Sequence, residues 1–156
     1  MASQQVSVPT ATPPGWANYL MKLMLKTPLL QRFIGRGLML LTFTGRKSGS
    51  VYTIPVSYAR SGNHVLAVTK LFRTWWKNLV EGADVSVRLA GKDFAGKAWA
   101  AQGDEAQYDI LHRYLVDRPI DAKAYGVRRV GGELVEEDVR ALLPQLVLID
   151  IELQAG

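Results

Sequence analysis

The stretch 44-TGRKSGSVYTIPVSY-58 sets two adjacent cations, Arg46 and Lys47, between small-residue turns and then runs into alternating strand residues with a proline inside. A plain hairpin needs the glycines but not the cations. Thr44 and Ser48 carry hydroxyls, and Gly45 and Gly49 let the backbone turn with its N–H groups outward. With the two charges, this combination suits a phosphate or a carboxylate, although a basic surface turn has the same composition. Pro55 has no N–H to donate, so the strand Val51–Tyr58 is expected at a sheet edge, bulged, or locally open. An open edge leaves room for a flat ligand beside the backbone; a proline there also guards an edge strand against pairing with another chain.

Outward from this stretch the hydrophobic period is that of strands. Leu38–Thr44, Val51–Tyr58, His64–Thr69, Val85–Leu89 and Phe94–Ala101 are apolar or β-branched runs, separated by turn signals at Gly45 to Ser50, Ser61-Gly62-Asn63 and Gly91-Lys92. Five strands so spaced predict a meander or a small barrel. Between the third and fourth, 74-TWWKNLVEGAD-84 predicts a short helix capped by Thr74 and ending near Gly82. Side chains at consecutive helical positions diverge by about 100°. Trp75 and Trp76 therefore cannot both face one core: either one borders a pocket or the two rings cover a barrel end. Asn78, one turn after Trp75, is placed to bond backbone nearby. Further on, a helix is expected from Asp104 to about Val116, a turn region at 127-VRRVGG-132, a helix around Glu136–Leu143 stopped by Pro144, and a last strand in 145-QLVLIDIEL-153.

Upstream, Trp16, Tyr19, Leu20, Leu23 and Met24 fall on one helical stripe, with Lys22 and Lys26 away from it. Such a helix either packs on the domain or lies on an anionic membrane surface. Thr27 and Pro28 signal a second short helix. Residues 1–15 read as a disordered lead and 16–156 as a single domain, long enough to bury a proper core. No apolar run reaches the roughly 20 residues of a spanning helix, and the N-terminus lacks a secretory pattern. The absence of cysteine excludes disulfides, thiolate metal sites and a cysteine nucleophile, and fits a reducing, cytoplasmic compartment.

Charge is divided along the chain. Residues 1–102 carry 13 Lys and Arg against 3 Asp and Glu, whereas residues 103–156 carry 6 against 11. The basic part coincides with the Arg46 turn, and a cationic surface concentrates anionic ligands. A nucleic-acid partner is not expected, because no recognition-helix or RNP-type pattern accompanies the charge. The inventory for side-chain catalysis is poor. His64 and His112 are far apart, and HExxH, CxxC, GxSxG, Walker and strand–GxGxxG–helix patterns are all missing. An enzyme of this composition would rely on a borrowed cofactor.

The run 25-LKTPLLQRFIGRGLMLLTFTGRKSGSVYTIPVSY-58, the strand ending Val68-Thr69-Lys70 and 75-WWKNL-79 together resemble the deazaflavin-dependent nitroreductase family, a branch of the split β-barrel flavin/deazaflavin oxidoreductases. The resemblance covers roughly residues 16–102. It implies a mainly β fold with flanking helices, a six- or seven-stranded split barrel of FMN-binding type preceded by an amphipathic helix. It also implies coenzyme F420, a 5-deazaflavin with a phospholactyl-glutamate tail, and hydride transfer to a quinone, nitro compound or activated alkene. By analogy Arg46, Lys47 and Ser48, with Gly49 shaping the turn, hold the anionic tail. Tyr52, Thr53, Ile54, Pro55, Val56 and Ser57 line the deazaflavin, with Ala67, Val68, Thr69 and Lys70 opposite. Thr74, Trp75, Trp76 and Asn78 close the edge. Tyr114 and Tyr125 are the substrate-side candidates, by location alone.

Two departures from the family pattern stand out. Tyr52 occupies a position where a second basic residue is common, and the loop after Lys70 is shortened to Leu71-Phe72-Arg73, so that Arg73 is a candidate replacement cation. FMN in the same barrel is the second cofactor choice. A non-catalytic carrier of a lipid or other apolar ligand is the alternative from another class. Both a monomer and a homodimer are compatible with the resemblance.

Overall fold

Proline at position 55 confines its strand to a sheet edge, and the computed structural model, which describes residues 37–155, has it there. Strands β1 (Leu38–Thr44) and β2 (Val51–Ser57) form an antiparallel hairpin whose register runs unbroken from Leu38↔Ser57 to Thr44↔Val51, with Leu40 opposite Pro55. No bulge is needed, since an edge strand leaves its outer N–H positions unused.

The remaining strands are β3 (Ala59–Ser61), β4 (His64–Lys70), β5 (Ala83–Leu89), β6 (Lys92–Gln102), the small pair β7 (Arg129–Val130) and β8 (Glu133–Leu134), and β9 (Leu146–Leu153). Seven of them form one antiparallel sheet in the order β2-β1-β5-β6-β9-β4-β3. This is not a meander: the C-terminal β9 inserts between β6 and β4 and pairs with both along its length. The sheet curls into a split half-barrel.

Alternation sorts the side chains onto two faces. Val85, Val87 and Leu89 of β5 turn inward while Asp84, Ser86 and Arg88 turn away. Inside the curl, Met39, Leu41, Phe43, Val65, Val87 and Ile149 belong to the main core. Strand β9 is buried on both faces, which explains its nearly continuous apolar run: Val147, Ile149, Ile151 and Leu153 face the interior, and Leu146 and Leu148 face the helices.

Those helices are α1 (Tyr108–Asp117), α2 (Pro119–Ala124) and α3 (Glu136–Leu142), which build a second core of Leu111, Tyr114, Leu115, Leu142 and Leu143 against Leu66, Val68, Leu146 and Leu148. Asp104 begins this half with a capping box, accepting from the Ala106 N–H at 2.9 Å while Gln107 reaches back to the Asp104 N–H. Gly103 lies where β6 meets the end of α3. A Cβ there would stand 2.0 Å from the Leu143 carbonyl oxygen, so no other residue fits.

Several expectations are corrected. The short helix after Thr74 is of 3-10 type, Trp75–Leu79, and Thr74 stands at its N-cap but makes no side-chain cap hydrogen bond. The expected turn at 127–132 contains half of the β7–β8 hairpin. Helix α2 was signalled by Pro119 at its first turn but submerged in the polar stretch around it. His64 bonds Asp150 at 2.8 Å. The lead 1–15, the amphipathic stripe from Trp16 to Met24 and the Thr27–Pro28 helix lie outside the described residues. Among the described residues no helix is long and apolar enough to cross a membrane.

Candidate functional site

Strand β3 pairs with His64, Val65 and Leu66 of β4, so among the described residues the half of β4 from Ala67 to Lys70 has no strand on that side. Strand β2 is the opposite edge of the same sheet. Between these two edges opens a cleft of about 360 Å³. Its walls are Ile54 to Ser57 of β2 and Val68 to Lys70 of β4; Trp75 and Arg73 border it from the connecting segment, Leu38 from β1, and Tyr114, Asp121 and Tyr125 from the helical side.

The β2 wall offers backbone as well as side chains. Pro55 has no N–H, so Leu40↔Pro55 must be a non-hydrogen-bonded pair, and the Tyr58 N–H bonded to the Gly37 carbonyl at 3.0 Å fixes the same phase. Thr53, Pro55 and Ser57 therefore turn their backbone polar groups away from β1, toward the open edge.

At one end of the strand stands the cationic turn. The Gly45 N–H bonds the Ser50 carbonyl at 2.7 Å, and the Gly49 N–H bonds the Gly45 carbonyl at 2.9 Å. Gly49 sits at φ +71°, in the left-handed region that glycine adopts without strain. Ser48 Oγ accepts from the Ser50 N–H at 3.2 Å. Arg46, Lys47 and Ser48 are exposed. Asn78 ties the turn to the Trp75 segment, its Oδ1 accepting the Arg46 N–H at 2.8 Å and its Nδ2 donating to the Trp75 carbonyl at 2.8 Å.

Two further cations border the cleft itself. Lys70 Nζ and the Arg73 guanidinium flank the exposed Phe72 ring at 5.8 and 5.7 Å from its centroid. Burial, with the neighbouring Arg73 charge, lowers the Lys70 pKa from the ordinary lysine value.

The helical side is a buried polar network. Tyr114 Oη donates to Asp121 Oδ2 at 2.8 Å, and the Arg118 guanidinium bonds the same carboxylate. Arg118 also donates to the carbonyls of Gly37 at 3.0 Å and Tyr58 at 3.2 Å, joining the helices to the ends of β1 and β2. Burial, reinforced by the Asp121 carboxylate, holds the Tyr114 phenol far above its usual range and pushes Tyr125 up to about 12. Both phenols are neutral at physiological pH. Among the described residues nothing hydrogen-bonds the Tyr125 hydroxyl.

Of the residues singled out in the sequence, the cleft thus gathers Ile54, Pro55, Val56, Ser57, Val68, Thr69, Lys70, Trp75, Tyr114 and Tyr125. Others lie elsewhere. Thr53 points to the opposite face, where its hydroxyl meets that of Thr42 at 2.9 Å. Ala67 is fully buried in the interior core. Trp76 packs against that core with its Nε1 unpartnered among the described residues, while Thr74 is exposed. Tyr52 stacks on Phe43, which in turn contacts Trp75. Asp121 and Arg118 were missed in the sequence. Their only local signal is the helix start at Pro119, which says nothing about the strand ends 60 and 81 positions earlier that Arg118 joins.

Comparison with known proteins accords with this architecture. No curated protein matches the chain. Among solved structures the chain is similar to the F420-H2 dependent reductase FDR-A, at 19% identity over 76% of this chain and 95% of that one, with a TM-score of 0.50. It is similar also to a protein described as a domain-swapped dimer (18% identity, 86% and 93% covered, TM-score 0.54) and to a conserved hypothetical protein from Mycobacterium tuberculosis (17%, 99% and 87%, 0.52). At such identities these structures establish the fold alone. The family model for F420H(2)-dependent quinone reductases, by contrast, matches residues 20–133, most of the chain. With a split barrel whose open seam carries cations at one end and tyrosines at the other, the chain belongs to the F420H(2)-dependent quinone reductase family and is an oxidoreductase that uses coenzyme F420.

Proposed function

We propose that the chain reduces a quinone, or another neutral electron-poor acceptor such as a nitro compound or activated alkene, with the coenzyme bound in the cleft between β2 and the free half of β4. The observation that carries this reading is the composition of that seam. Its volume of about 360 Å³ falls within the range of small-molecule sites. The outward carbonyls of Pro55 and Ser57 and the Ser57 N–H suit the imide edge of a deazaflavin, which presents both donors and acceptors. Arg46 and Lys47 at one end, with Lys70 and Arg73 nearer the centre, suit a phosphate and carboxylates. The donor set therefore fits the coenzyme.

When bound in reduced form, the coenzyme supplies hydride; reduction of a quinone to the hydroquinone then requires one further proton, which solvent provides. The chain's part is to bind and orient. The β2 edge and Trp75 fix the plane of the ring, and proximity of two aligned rings accounts for much of the rate of such a transfer. Tyr125, neutral and with no hydrogen-bond partner among the described residues, is placed to donate a hydrogen bond to the acceptor oxygen on which negative charge develops. Tyr114 donates a hydrogen bond to Asp121 and so serves to hold the helical wall.

The test is steady-state oxidation of reduced coenzyme F420 with menadione, followed by the return of the oxidised chromophore, beside a titration with FMN. Turnover with F420 and no binding of FMN is expected. Tight FMN binding with no F420 turnover would overturn the proposal.

A further inference from the structure

Asn78 does not line the cleft, and both of its polar side-chain atoms are engaged by backbone. Its Oδ1 accepts the N–H of Arg46, 32 positions earlier, and its Nδ2 donates to the carbonyl of Trp75. Arg46 opens the cationic turn; Trp75 is a wall of the cleft. A second connection runs beside the first. Phe43, near the end of β1, has its ring centroid 5.7 Å from that of Tyr52 and 6.0 Å from that of Trp75. The turn itself is closed by two backbone hydrogen bonds across Gly45. Turn and wall are therefore held together at two points, one polar and one aromatic.

We infer that Asn78 is a positioning residue that locks the cationic turn to the Trp75 wall, so that an anion gripped at Arg46 and Lys47 sets where the planar ring lies. The inference rests on the reading of the cleft proposed above. Two parts of one ligand bind cooperatively only when their sites keep a fixed separation, because the second contact is then made at high effective concentration. A turn cut loose from the wall would still attract the tail but would no longer direct the ring. Asn78 does not line the cleft and its polar atoms are engaged by backbone, so its contribution is expected for a ligand that bridges both sites.

The experiment compares oxidised coenzyme F420 with the same deazaflavin lacking the phospholactyl-glutamate tail, each titrated into wild type and Asn78→Ala by tryptophan quenching. Wild type is expected to favour the tailed molecule. Asn78→Ala is expected to lose about tenfold in affinity for F420, the worth of one to two hydrogen bonds, and less than about threefold for the tail-less ring. Equal losses for both molecules, or no loss for either, would overturn the inference. If wild type itself does not distinguish the two, the assignment of the tail to the Arg46 turn fails first, and the outcomes are separable. A measurement on wild type alone guards against a variant that does not fold. The Arg46 amide, exposed but bonded to Asn78, is expected to exchange with deuterium at least about tenfold more slowly than the Lys47 amide beside it; equal exchange would sink the strut.

Discussion

At one end of strand β2 Arg46 and Lys47 stand exposed on a short turn, while at the other Arg118 is folded inward at 19% exposure and shared among a carboxylate and two carbonyls. The residues are alike in charge and opposite in employment. Arg118 donates to the Asp121 carboxylate and to the Gly37 and Tyr58 carbonyls, and so fastens the helices to the β1–β2 hairpin. Arg46 and Lys47 keep their side chains exposed, and among the described residues it is the backbone of Arg46 that is tied down. A cation committed to the fold can be recognised by its partners; the proposed function assigns the exposed pair to an anion.

The comparison is broken most directly by Arg118→Ala, which leaves the Asp121 carboxylate and two carbonyls uncompensated in a largely buried place. A loss of about 2–4 kcal/mol in unfolding free energy is expected in urea titration, slightly below the range for fully buried pairs. A loss under about 1 kcal/mol would show that the network is ornamental. The converse variant, Arg46→Ala with Lys47→Ala, should leave stability unchanged and weaken F420 binding by about tenfold to a hundredfold, since a charge-assisted hydrogen bond contributes roughly 1.5–3 kcal/mol. Calorimetric titration reads the second effect, and unchanged affinity would dissolve the distinction between the two ends.

Alkaline pH sharpens it further. Unfolded phenols ionise near pH 10, whereas Tyr125 in the fold does so near 12 and Tyr114 higher still. Above pH 10 the unfolded state alone releases these protons, so stability that is whole below pH 10 declines as pH rises, by about 1.4 kcal/mol per unit for each phenol. Tyr125→Phe should remove one such contribution, seen as a shallower decline in urea midpoints between pH 9 and 11. The smallest effect belongs to the turn: Gly49→Ala meets no neighbouring atom within 4 Å and suffers only the strain of φ +71°, about 1–2 kcal/mol at most. A larger loss would mean that the turn is more tightly packed than the helical side.

How far the sequence carried differs between the same two regions. The cationic turn, the edge position of Pro55 and one Trp at a pocket were legible because each depends on residues a few positions apart. Strand β3 was hidden, since three residues beside a turn carry no period, and Asn78 was readable as a backbone bonder but not as a link to Arg46. Arg118 and Asp121 gave no sign of the cleft, because a Pro-led helix start is the same wherever the helix comes to rest.

By itself the sequence determined local geometry: which runs alternate, where glycine permits a turn, and that a proline-bearing strand is an edge, bulged or locally open. Only the tertiary structure decided that this edge faces the unpaired half of β4 and that two tyrosines from the acidic C-terminal third border the gap between them. The physical reason is range. Backbone preference and side-chain alternation act between near neighbours, whereas the cleft exists because β9 inserts between β6 and β4 and turns the sheet until its two ends approach without meeting.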